Sequence, residues 1–142
     1  MTRDSLATVA RLRRLAQDDA RQALSLALAH QARMAARADS AARDIVNEAE
    51  AAASIHVDDA VVEAFAAWLP VARAHAADTR AECERAEAEV ARLRAVLTAS
   101  RAAMEAVETL MAQRDAVLAQ ARTRRAEIDL DDATRPPPDP HA

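Results

Sequence analysis

Few residues in this chain have the type and spacing that chemistry needs. The four histidines, His30, His56, His75 and His141, are far apart in sequence and show none of the short spacings of a metal site. Carboxylate pairs such as Asp18 with Asp19 and Glu87 with Glu89 are common, but no cleft is implied that would shift their proton affinities. With no glycine at all, neither type of phosphate-cradling glycine-rich loop can form. Cys83 is the single cysteine; it excludes an internal disulfide and fits a reducing compartment. The expectation is a non-enzymatic protein with no cofactor and no metal. The one unusual spot is Phe65, Trp68 and Leu69, whose spacings of three and four put them on one helical face. They hold all the aromatic area of the chain. They either plug a helical turn or present an exposed anchor to a partner, and both roles can hold together.

The elements that would carry this patch are long helices. From Cys83, steps of three and four land on Ala86, Val90, Leu93, Leu97, Ser100, Met104, Val107, Met111, Arg114, Leu118, Ala121, Arg125 and Ile128. Backwards, the same steps reach Thr79, Ala76, Ala72 and Leu69. A repeat of roughly 3.5 residues held this long marks a helix that keeps one narrow seam against a partner helix. At about 1.5 Å per residue such a helix is a rod of roughly 80–90 Å. An earlier stripe opens with Leu6, Val9, Leu12 and Leu15. It settles into Ala27, Gln31, Met34, Ala38, Ala41, Ile45, Glu48, Ala52 and Ile55. Its seam is mostly alanine where the later one offers Leu and Met.

Small residues facing large ones let layers interdigitate. This favours one chain folded on itself over a parallel dimer, which would stack alanine on alanine. The expected fold is therefore all-α: a long antiparallel two-helix coiled-coil hairpin over residues 1–132. Helix 1 covers about 4–53, a bend 54–70 and helix 2 about 71–128, with a disordered proline-rich tail at 133–142. In the expected register Met34 faces Val90, Ala27 faces Leu97, Ala20 faces Met104 and Leu6 faces Leu118. Asp58 or Asp59 can cap a new helical run with acid at its positive end. Pro70, which has no N–H to donate, should kink the helix or sit in its first turn.

The formal charge is −4, from 19 arginines (there is no lysine) against 23 acidic residues. No long segment carries the basic excess that a run of phosphates would require, so nucleic acid is not an expected partner. Arg3, Arg11, Arg13, Arg14 and Arg21 gather near the start, whereas residues 54–72 carry −3. No apolar run is long enough for a membrane span. The opening residues lead into an amphipathic pattern, not a signal-peptide core. The expected location is cytoplasmic.

Four stretches together resemble one family. They are Leu6-x2-Val9-x2-Leu12-Arg13-Arg14-Leu15, Phe65-x3-Leu69-x2-Ala72, Glu105-Ala106-Val107-Glu108-Thr109-Leu110-Met111-Ala112-Gln113-Arg114, and Arg124-Arg125-Ala126-Glu127-Ile128-Asp129-Leu130-Asp131-Asp132. The chain resembles, over roughly residues 4–135, the flagellar FliJ family, the coiled-coil stalk component of the bacterial flagellar type III protein export apparatus. That resemblance implies an antiparallel two-helix stalk without catalytic activity, on the cytoplasmic face of the inner membrane and peripheral to it through the export apparatus. It implies three partners: the flagellar export ATPase, whose assembly the paired ends promote; the cytoplasmic domain of the export gate; and export chaperones. Phe65, Leu69 and Ala72, with Trp68 beside them, would contact the gate. Leu6, Val9, Arg13, Arg14, Leu118, Arg125 and Ile128 would form the ATPase-contacting tip. The equivalent stalk of a virulence secretion system and a homodimeric coiled-coil scaffold stay open as alternatives.

Overall fold

The computed structural model describes residues 3–54, 56 and 58–134. The fold is all-α, a two-helix hairpin with no strand among the described residues. Helix α1 spans Arg3–Ala52 and helix α2 spans Asp59–Thr134, at 50 and 76 residues. Alanine, leucine, arginine and glutamate are strong helix formers, and no glycine interrupts either element. The proline-rich tail from Arg135 lies outside the described residues, as do Ile55 and Val57.

Both boundaries of the expected bend move. The turn is confined to residues 53–58, and α2 is already helical at Asp59. The amides of Val61 and Val62 donate to the Asp58 carbonyl at 2.9 and 3.4 Å, so Asp58 holds the N-cap position. Asp59 puts a carboxylate in the first turn, at the positive end of the helix. Helix α1 closes with Ala53 N–H on the Ala49 carbonyl and Ser54 N–H on that of Ala51, without any residue of positive φ. Pro70 neither starts α2 nor ends a bend: it is an exposed residue inside the helix. Its ring removes one N–H from the ladder, a loss absorbed by the continuous helix on both sides. At the far end α2 runs on to Thr134, beyond the expected limit near 128.

The chain divides into two units, residues 16–100 and residues 1–15 with 101–142. In the first unit the buried set is Ala20 and Ala41 from α1, with Ala72, Thr79, Ala86, Val90, Leu93 and Leu97 from α2. Both α1 members are alanine, whereas α2 contributes the small Ala72, Thr79 and Ala86 and then the larger Val90, Leu93 and Leu97, so the expected small-against-large contrast is confined to the later part of this unit's seam. Thr79 is the most deeply buried polar residue, and its Oγ1 is satisfied by donating to the Ala76 carbonyl at 3.0 Å. Arg37 on α1 pairs with Glu82 on α2 at 3.2 Å. In the second unit Ala10, Met104 and Val107 form a buried cluster, with Val9 and Met111 packed against it.

The register differs from the expected one by somewhat more than a helical turn. Leu6 shares a groove with Met111 and Arg114, not with Leu118. Met34 lies among Glu82, Arg85, Ala86 and Glu89, short of Val90. The cause is the turn. A turn centred in 53–58, rather than in 54–70, brings an earlier part of α2 opposite each residue of α1. The seam itself is as the periodicity gives it, buried or half-buried from Leu69 to Arg114. Ser100 and Arg114, polar positions of the seam, each keep a buried atom (Oγ and a guanidinium nitrogen) with no hydrogen-bond partner among the described residues. Leu12 and Leu15 leave the core entirely, at 58% and 56% exposed. The inward-facing residues there are Leu6, Val9 and Ala10.

Candidate functional site

The turn end of the first unit carries a groove of about 460 Å³. From α1 it is lined by Asp44, Glu48, Ala51 and Ala52, and from α2 by Val61, Ala64, Phe65 and Trp68. Spacings of four and three place Asp44, Glu48 and Ala51 on one face of α1, and Val61, Phe65 and Trp68 on one face of α2. The two rings stand with centroids 5.8 Å apart, tilted by 38°. This separation lies in the range where aromatic pairs attract beyond their buried area. Phe65, Trp68 and Leu69 are half-buried, so each rests on the hairpin and still presents a face to solvent. Ala72 is buried at 9% exposure and belongs to the seam. The accessible part of the expected gate-contact patch is thus Phe65, Trp68 and Leu69.

Asp44 is not among the residues the sequence singles out, and Glu48, expected on the α1 seam, is instead exposed at the groove. They lie on the other helix, and only the folded turn brings them to the aromatic pair. A signal for them was nevertheless present. Between Arg43 and Arg73 there is no arginine or lysine, while Asp44, Glu48, Glu50, Asp58, Asp59 and Glu63 all fall in that interval.

The residues expected at the opposite tip divide into two classes. Leu6 is buried and Val9 half-buried, so both serve internal packing in their unit. Arg13, Arg14, Leu118, Arg125 and Ile128 are exposed. From Asp115 to Thr134 every residue of α2 is exposed, including Val117 at 64%, Ile128 at 59% and Leu130 at 65%. The seam phase continues through Leu118, Ala121, Arg125 and Ile128 although nothing in the described chain covers it.

The remaining polar groups do structural work at the surface. Arg21 with Asp18, Arg80 with Glu84 and Arg92 with Glu89 are exposed pairs within one helix, screened by solvent. The hydrogen bonds from Arg92 hold the Glu89 carboxyl below the usual carboxylate range. Partial desolvation, reinforced by Glu87, pushes the Cys83 thiol up; its Sγ lies 3.7 Å from the Glu87 carboxylate. Among the described residues no group of three His, Cys, Asp or Glu side chains is gathered as a metal would require. His30, His56 and His75 are exposed and separate, and His141 lies outside the described residues. No helix among the described residues is long and apolar enough to cross a membrane.

Comparison of the chain with protein-family models, with curated proteins and with solved structures gives no match.

Proposed function

We propose that this chain is a non-enzymatic stalk and adaptor of the flagellar type III protein export apparatus, linking the export ATPase ring to the membrane export gate and escorting export chaperones. The observation that carries the reading is the bare stretch of α2. The seam is buried or half-buried up to Arg114, and its phase then continues over an exposed stretch of helix as far as Ile128. A helix that keeps a seam where the described residues give it no cover is suited to insertion into another body. On this reading Leu118, Arg125 and Ile128, with Arg13 and Arg14, engage the ATPase. Phe65, Trp68 and Leu69 engage the cytoplasmic domain of the gate. The protein would then work at the cytoplasmic face of the inner membrane, held there by the apparatus.

The test is to add the purified chain to the export ATPase of the same organism and follow ring assembly and ATP turnover. Stimulation is expected, and a chain ending at Asp115 should lose it while its packed part melts unchanged. A truncation of residues 1–14 would be a poorer probe, because it removes Leu6 and Ala10 from a buried cluster. A chain that leaves the flagellar ATPase unaffected but stimulates a virulence-type ATPase belongs to the equivalent stalk of that system. Failure to stimulate either, with a dimeric mass in solution, would replace the stalk with a scaffold.

A further inference from the structure

We infer that the groove at the turn is a receptor for a cationic side chain, so that the protein segment docking there presents arginine or lysine flanked by apolar residues. The inference deepens the proposed function by naming the partner's chemistry, and rests on it for taking this end as a docking surface. Three features point to positive charge. First, two acidic residues of α1, Asp44 and Glu48, line the same groove as Phe65 and Trp68 of α2. A cation between them gains from both, since ring faces and carboxylates each carry negative potential. Among the described residues neither Asp44 nor Glu48 takes part in an ion pair.

Second, no basic side chain answers the acids at this end: the negative end of α1, with no basic residue in its last turn, is accompanied by the positive end of α2, where Asp58 caps and Asp59 sits in the first turn. Glu48 and Glu50 occupy the place where a cation would ordinarily be favourable. Third, the field is unrelieved over the whole end: six acids and no arginine or lysine lie between Arg43 and Arg73, with His56 the only other titratable group. The rest of the chain is slightly basic, so this acidity is local to the turn. Its potential would steer a basic segment to the groove and reject an acidic one. The apolar floor of Ala51, Ala52, Val61 and Ala64 suits the aliphatic stem of such a side chain. The groove volume lies in the range of pockets that hold small ligands.

Trp68 is the only tryptophan and there is no tyrosine, so its fluorescence reports on the groove alone. The full chain is titrated with a peptide of alternating arginine and leucine, and with the same peptide carrying glutamate for arginine. The basic peptide should perturb Trp68 emission saturably, and the acidic one should not. The pair Asp44→Asn with Glu48→Gln should weaken binding about tenfold, with the helical circular dichroism unchanged. Glu105→Gln with Glu108→Gln removes the same charge from an exposed face elsewhere and should leave affinity at the parent value. Equal binding of both peptides, or full affinity in the Asp44–Glu48 variant, overturns the inference. So does equal weakening by the two variants, which would mark the effect as net charge. The gate's cytoplasmic domain is titrated in parallel. A gate that binds with unaltered affinity to the Asp44–Glu48 variant refutes the cationic receptor and leaves the stalk standing. A basic peptide that binds where the gate does not refutes the gate assignment and leaves the receptor.

Discussion

Leu97 and Leu118 occupy equivalent positions in one unbroken seam, so sequence periodicity assigns them equal importance. The structure does not. Leu97 is 7% exposed and Leu118 is 39% exposed. Replacing either with alanine removes three carbons and leaves helix propensity slightly improved, so the intrinsic term nearly cancels in the comparison. At Leu97 the loss of about 0.8 kcal/mol per buried carbon gives about 2.4 kcal/mol. The partner helix there is rich in alanine and can close partly on the gap, which holds the cavity contribution near the low end of the range for such substitutions. For a chain of this length the melting midpoint should fall by roughly 5–10 °C. At Leu118 a larger share of the side chain already faces water, and the change should be the smaller of the two, within about 1 kcal/mol. Thermal melts followed by helical circular dichroism, on each variant at the same concentration, decide the matter. Equal midpoint losses would refute the assignment of the seam's end to Arg114. They would mean that Leu118 is covered in solution, by α1 in a different register or by a second copy.

Two further outcomes are expected. A double-mutant cycle on Arg37→Ala and Glu82→Ala should give a coupling of about 0.2–1 kcal/mol, since the pair is 55% and 37% exposed. The coupling should shrink as salt is raised, and no coupling at low salt would reject the register. Cys83, whose thiol is held above its ordinary range by partial desolvation and by Glu87, has less thiolate at neutral pH than a free cysteine. Its alkylation should therefore be slower than that of a free thiol, should quicken as pH rises, and should accelerate at fixed pH in Glu87→Gln. A rate matching a free thiol would contradict that environment.

The sequence by itself determined the helices, because helix propensity and seam phase are local properties carried by every residue of the repeat. It also marked α1 as the helix with the smaller seam, since Ala20 and Ala41 on one side and Val90, Leu97 and Met104 on the other are legible as types, whereas Ala10, buried where Leu12 and Leu15 were expected, was not. What it left open was everything that depends on the turn. A 3.5-residue repeat looks the same after a slide along the partner, so periodicity alone could not choose between Leu118 and Met111 as the neighbours of Leu6. Pro70 drew the bend toward itself, yet a helix already propagated through 59–69 tolerates one lost backbone donor more readily than it tolerates ending. The candidate groove was half legible for the same reason. Phe65 and Trp68 share a face by spacing alone, whereas Asp44 and Glu48 join them only because the turn closes at 53–58. Charge carries no periodic marker of its neighbours across a hairpin. Only the tertiary structure could bring the acids of α1 to the aromatic face of α2.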